Sequence, residues 1–293
     1  MAPALSYLAQ HFRVLRLRIT LRLEADWQLP AYKGSVFHGW LGQSAKQYDE
    51  HLFHVLFAEH DAGQPKPYAL KLNEEHKTHW RRNELVWFDV TLFGEATQLA
   101  EQLVEALQSG CKLGLGDRVN QQRCPIELIN VASITPFQRV PGIRQTYLSD
   151  WFTPIAESEQ SELALQLKSP LRLKRQGKVQ ETFKPDLYLL NQQTCRRLTL
   201  LSKFWVCDDA NLLKDLNQSQ PRLGEYQFTD HTYFEDWQRF SLKNKRLTSF
   251  GGLKGQLSYF GQINDAKPLL QVAEVLGVGG KTTFGLGHFD LIG

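Results

Sequence analysis

The chain lacks any run of about 18 apolar residues, the length a membrane-crossing helix requires, and lacks a charged-then-apolar leader with a cleavage site. A soluble cytoplasmic protein is the expectation. It has only four cysteines, Cys111, Cys124, Cys195 and Cys207, with no C-x-x-C pair among them. That scatter argues against a zinc site and against a secreted disulfide framework, and leaves reduced, mostly buried thiols. No metal and no cofactor are expected. Charge of one sign is also scarce in excess: the formal net charge is +3, so global charge names no partner and only its distribution is informative. A nucleotide P-loop is missing too, because Gly-x4-Gly-Lys-Ser/Thr followed by a helix does not occur.

What is present fits two domains. The 293 residues, 42% of them hydrophobic, suffice for two cores. In residues 12–23, Leu15, Leu17, Ile19, Leu21 and Leu23 alternate with Arg16, Arg18, Thr20 and Arg22, the period-two pattern of a strand with an apolar and a basic face. The basic face is either solvated or a phosphate contact, since no acids interleave with its arginines along the strand. Residues 34–57 carry Phe37, Leu41, Ala45, Tyr48, Leu52 and Val55 at helical spacing. Strands at 68–72 and 84–93, a helix at 97–108 and a strand at 126–134 complete a β-α-β-β-α-β order, the ferredoxin-like unit. The second half repeats it, with strands at 163–173, 226–240, 252–259 and 282–291 and helices at 186–204 and 268–276. Both halves follow the second helix with Gly-Leu-Gly, at 114–116 and 285–287. The expected fold class is therefore α+β, two tandem ferredoxin-like (RRM-like) domains over residues 1–134 and 161–293. A Pro-containing linker falls at 135–160.

Basic residues gather at glycine-rich places. Residues 277–287 hold five glycines and Lys281 among apolar residues, so that backbone N–H groups can form a concavity for phosphate. The phosphates are those of a polynucleotide, because the following residues read as a terminal strand. RNA-contact candidates are Gly277, Gly279, Gly280, Lys281 and Thr282 in this loop, and Lys243, Lys245, Arg246 and Lys254 around Ser249 to Leu253. Arg172, Lys174 and Arg175 form a second basic run, and Arg16, Arg18 and Arg22 lie on the first strand. Arg81 and Arg82 read as solvated. Of the seven tryptophans, Trp87 and Trp205 read as core, while Trp40 is open to either reading.

Residues 29–39 (Leu-Pro-Ala-Tyr-Lys-Gly-Ser-Val-Phe-His-Gly), 91–94 (Thr-Leu-Phe-Gly), 168–174, 237–241, 251–255 and the glycine-rich C-terminus, taken in order, resemble the CRISPR precursor-RNA processing endoribonucleases of the RAMP superfamily. The resemblance runs over nearly the whole chain. It implies CRISPR repeat RNA, in the form of a hairpin, as substrate and partner, with other CRISPR effector subunits as further partners. It also implies metal-independent cleavage on the 3′ side of the repeat stem. In that chemistry a ribose 2′-hydroxyl attacks the adjacent phosphorus, giving a 2′,3′-cyclic phosphate and a 5′-hydroxyl. The reaction needs a base, an acid and a cation, and histidine suits the proton transfers.

Among nine histidines, His60 is the first catalytic candidate, since its place in the loop before the second strand resembles the family pattern. His38, in the Phe-His-Gly step where many relatives carry arginine, is second. His54 and His51 follow on later turns of the same expected helix. Where some members carry a tyrosine three residues after the helix glycine, this chain has Gly42, so Lys46 and Tyr48 are the candidate replacements. The alternative readings are a noncatalytic RNA-binding subunit of the same superfamily and a structural protein whose glycine loop only packs.

Overall fold

A computed structural model describes residues 2–58, 63–73, 76–119, 122–154, 161–175, 178–179, 186–218, 220–241 and 246–293. The chain divides into two compact units, Arg13–Thr146 and a discontinuous one made of Met1–Phe12 with Tyr147–Gly293. Helix α1 (Pro3–His11) belongs to the second.

The Arg13–Thr146 unit is built on strand β1 (Arg13–Leu23), helices α2 (Gly34–Tyr48) and α3 (Glu50–Phe57), strands β2 (Tyr68–Leu72) and β3 (Leu85–Phe93), helix α4 (Ala100–Gly110) and strand β4 (Ile126–Ile134). The sheet order is β2-β3-β1-β4 and every pairing is antiparallel, which is the ferredoxin-like arrangement. Beyond β4, residues 139–141, within the stretch expected as linker, pair with it as one more strand. The apolar face of β1 is buried as its alternation requires. Leu15, Leu17, Ile19, Leu21 and Leu23 pack with Phe37, Trp40 and Leu41 of α2 and with Leu103 and Leu107 of α4. Each such side chain contributes about 1.5–3 kcal/mol by leaving water. Trp40 is core, and its indole N–H donates to the Gly110 carbonyl at 2.9 Å.

The arginines on the basic face of β1 have partners across the sheet. Strands β3 and β4 flank β1 and bring carboxylates across from the arginines. Arg18 makes two hydrogen bonds to Asp89, at 2.7 and 3.0 Å, and its guanidinium lies 3.8 Å over the Trp87 ring. Arg22 is ion-paired with Glu127. Arg16 is 8% exposed and donates to the Thr91 hydroxyl. The missing acids are supplied across the sheet, where a single-strand pattern does not show them. Trp87 is consequently half-buried on this face and not in the core.

The single helix expected over 34–57 is two. Asp49 is extended (φ −154°, ψ 128°), ends α2 and caps α3 through a 2.6 Å bond from the Leu52 N–H. His51 and His54 thus ride on a separate helix.

The second unit repeats the plan with strand β5 (Ser161–Leu171), helices α5 (Leu187–Trp205) and α6 (Ala210–Gln218), strands β6 (Tyr226–Glu235) and β7 (Gly252–Gly261), helix α7 (Lys267–Leu276) and strand β8 (Phe289–Ile292). Its sheet order is β6-β7-β5-β8, again antiparallel, so the duplication read in the sequence is a duplication of topology. Trp205 is buried here, as expected. Two strand boundaries move. β6 stops at Glu235, and residues 238–241 form a separate hairpin with 246–249. The closing strand begins at Phe289 and not at Thr282, because Lys281, Gly285 and Gly287 all take left-handed backbone (φ 69°, 86° and 76°).

Cys124 and Cys195 are buried, and burial pushes both thiols up to about 11, so they are protonated at neutral pH. Among the described residues, no helix is long and apolar enough to cross a membrane.

Candidate active site and glycine loop

The first catalytic candidate, His60, lies outside the described residues. The second, His38, sits half-buried one turn into α2, where Phe37 and Leu41 fix the helix rotation by entering the core. Its Nδ1 lies 2.9 Å from the Tyr68 hydroxyl at the start of β2. The two rings are nearly parallel, with centroids 6.3 Å apart, and the Phe57 ring meets the imidazole edge-on at 5.7 Å. Phe57 also packs on Tyr68 at 5.2 Å, so three elements converge on one ring cluster.

Lys66, in the approach to β2, adds a cation. Its Nζ donates to the Phe57 carbonyl at 2.5 Å and lies 5.9 Å from that ring. Gly42 is accounted for by the same packing, since a Cβ there would stand 3.2 Å from Phe57 Cδ1. The site carries phenylalanine from α3 where a larger residue on α2 would collide.

Burial raises the Tyr68 phenol well above its ordinary value, so the hydroxyl stays protonated wherever histidine titrates. An imidazole with one nitrogen held by a phenol is a proton-transfer station, and Phe57 is the residue that both His38 and the Lys66 ammonium approach.

Lys46 and Tyr48 do not join this cluster. They stand eight and ten residues after His38 on one helix, about 12 and 15 Å along its axis. Tyr48 is hydrogen-bonded to Glu105, and that bond, with slight desolvation and the nearby carboxylates, raises its pKa. The Lys46 ammonium lies 5.6 Å from the Phe53 ring. His51 and His54 are exposed on α3. Sequence reading missed Tyr68 and Lys66. Tyr68 was visible only as the first residue of an apolar strand, and Lys66 as part of a Pro-Lys-Pro turn.

The glycine loop of 277–287 is tightly built. Arg197 on α5 donates to the last carbonyl of α7, Leu276, at 3.1 Å, and burial lowers its guanidinium to about 10. Past Gly277 the chain turns against β5. Val278 N–H bonds Gly287 O, Gly280 N–H bonds Arg172 O, and Gly287 N–H bonds Pro170 O, at 2.9, 2.9 and 3.1 Å. A Cβ on Gly279 would stand 2.5 Å from the Arg172 carbonyl oxygen. Many of the loop amides expected to cradle phosphate therefore hold the loop to its neighbour, and the glycines answer to close backbone approach.

Gly277 and Thr282 are buried, whereas Gly279, Gly280 and Lys281 reach the surface. Lys281 is exposed, with its Nζ 5.6 and 5.7 Å from the edge-packed rings of Phe250 and Phe284.

The remaining basic candidates separate by environment. Arg172 donates to Gly251 O at 2.8 Å, and burial lowers its pKa against an opposing pull from Asp236. Lys254 is ion-paired with Glu235 at 3.3 Å. Lys174 is exposed in a two-stranded hairpin with residues 178–179. Arg175 and Arg246 are described in backbone only, and Lys243 and Lys245 lie outside the described residues.

A duplicated ferredoxin-like fold with a glycine loop before its last strand invites comparison with known proteins. The profile of the CRISPR-associated endoribonuclease Cas6 family matches residues 165–289, nearly all of the Tyr147–Gly293 segment. That segment belongs to the Cas6 family. A second profile, described as an N-terminal domain (AF_1859_N), matches residues 12–150. No curated protein matches the chain.

Among solved structures, a Cas6 product complex is similar over 95% of this chain and 99% of its own, at 17% identity and a TM-score of 0.58. Cas6 from Thermus thermophilus covers 96% and 99%, at 15% identity and 0.56. A partial Cas6-RT-Cas1–Cas2 complex covers 97% of this chain and 47% of the other, at 14% identity and 0.62. The Cas6 fold therefore extends through both units. The chain carries a domain that matches the CRISPR-associated endoribonuclease Cas6 family, the kind of protein that the sequence motifs resemble.

Proposed function

We propose that the protein matures CRISPR RNA by cutting repeat RNA in precursor transcripts through 2′-hydroxyl attack, with His38 as the histidine that moves the proton. The observation that carries this reading is the His38–Tyr68 contact at 2.9 Å, on the first long helix of a Cas6 fold. His38 takes the proton of the attacking 2′-hydroxyl or returns one to the departing 5′-oxygen. Lys66 offsets the negative charge that builds on the phosphorus oxygens. Protein side chains suffice for each of these steps, so the reaction proceeds without a metal. Lys281, at the exposed end of the glycine loop, contacts the RNA phosphates, with Lys174 as a second contact. The product RNA is then available to other CRISPR effector subunits in the cytoplasm.

The experiment is incubation with CRISPR repeat RNA in EDTA, beside a substrate carrying a 2′-deoxy ribose at the scissile position and beside His38→Ala and His60→Ala. Cleavage that survives EDTA and vanishes with the 2′-deoxy substrate and with His38→Ala is expected. Loss of cutting in His60→Ala alone would transfer the role to His60. Tight binding without any cutting would identify a noncatalytic RNA-binding subunit.

A further inference from the structure

We infer that Tyr68 is a positioning residue for His38: its phenol oxygen accepts the imidazole Nδ1–H and so holds the ring in the tautomer whose Nε2 exchanges the proton with RNA. The inference rests on His38 being the histidine that acts. Nothing in the chemistry of cleavage requires such a partner, so the assignment stands on the local geometry.

Tyr68 is 1% exposed and pinned by its strand, where it pairs with Leu92 of β3. Its hydroxyl is 2.9 Å from Nδ1. The imidazole is held on one side by this nearly parallel phenol ring, at 17° between planes, and by the edge of Phe57. A phenol that burial keeps protonated is no base of its own. It can orient another group.

A neutral imidazole carries one N–H, and in water that proton prefers Nε2, which would occupy the nitrogen needed to accept the 2′-hydroxyl proton. A hydrogen bond from Nδ1–H to the phenol oxygen reverses the preference. As a base, Nε2 gains the 2′-hydroxyl proton and the ring becomes imidazolium. As an acid, Nε2 gives a proton to the 5′-oxygen and the ring returns to neutral. Through both steps the Nδ1–H to oxygen bond is kept, and Tyr68 neither gains nor loses a proton.

The test compares wild type, Tyr68→Phe and His38→Ala by single-turnover cleavage of repeat RNA, RNA affinity and 15N NMR of the His38 ring. In wild type above the histidine titration, the neutral ring is expected to carry its proton on Nδ1. Tyr68→Phe is expected to move it toward Nε2 and to slow cleavage by about tenfold or more, the worth of one hydrogen bond to an ionising group. RNA affinity should stay within about threefold, because the hydroxyl touches no phosphate in this scheme.

An Nε2–H tautomer in the wild-type protein overturns the inference, whether or not the variant folds. A slower Tyr68→Phe with an unchanged tautomer overturns it too, as a merely structural effect, and so does a shifted tautomer with full activity. Full activity in His38→Ala refutes the underlying site reading, whereas an inactive His38→Ala beside an unaffected Tyr68→Phe refutes the positioning role alone.

Discussion

His38 and Tyr48 are polar residues of one helix, the first half-buried against a strand residue and the second exposed and bonded to a helix residue. The distinction lies in tertiary contacts. His38→Ala should lower the cleavage rate by about 10²–10⁴-fold, the usual contribution of a positioned acid or base, while the dissociation constant for repeat RNA stays within a few-fold. Tyr48→Phe and Lys46→Ala should cleave at close to the wild-type rate in the same assay, since Tyr48 spends its hydroxyl on Glu105 and Lys46 lies beside Phe53. A loss comparable to that of His38→Ala in either would return them to the site. At this scale the sequence was only partly legible. His38 could be named because histidine chemistry narrows the choice to a few residues, but Tyr68 and Lys66 acquire meaning only when β2 is laid against α2. The partners of the β1 arginines were hidden for the same reason: Asp89 and Glu127 are 71 and 105 residues away from Arg18 and Arg22 and become neighbours through pairing.

Elements were read more faithfully than residues, because period-two and helical spacing report burial directly and burial is what the sheet and its helices provide. Two of the places where element reading failed are backbone decisions made by single residues. At Asp49 an uninterrupted apolar spacing hid a helix break, since Leu52 and Leu56 continue the pattern across the change of direction. Asp49→Ala removes the cap of α3 and should cost about 1 kcal/mol, read as a fall of about 2–4 °C in the melting temperature. At Lys281 a lysine in left-handed conformation starts a tight turn, which delays the last strand by several residues. Alanine is strained at both Gly279 (φ 83°) and Gly63 (φ 100°), but only at Gly279 does it also press a methyl onto the Arg172 carbonyl, so a larger loss of stability is expected there than at Gly63, where a Cβ meets nothing within 4 Å. Equal melting temperatures for Gly279→Ala and Gly63→Ala would contradict the packing role of the loop.

For the molecule as a whole, binding to a polyanion through a few cations should weaken linearly in a plot of log affinity against log salt, and Lys281→Ala should reduce that slope by about one. An unchanged slope would remove Lys281 from the interface. Stability should also depend on alkali. Burial raises Tyr68 and Tyr259 above the ordinary phenol value of 10.0. The folded state therefore holds these protons more tightly than the unfolded state does. Their contribution is complete below pH 10 and shrinks as pH climbs above it, so denaturant midpoints should be flat through neutrality and fall above about pH 10. The order of the chain through its two units has a further consequence. Helix α1, with Leu5, Leu8 and Ala9 buried, packs within the unit whose remaining residues begin at Tyr147. During synthesis it leaves the ribosome before the rest of its unit and has no partner there until more than a hundred further residues have followed. The Arg13–Thr146 unit can close in that interval on its own contacts, while the other half waits for its opening helix to be recaptured. Assembly thus runs inside out, and cutting the chain after His11 should loosen the later-made unit and leave the earlier one folded.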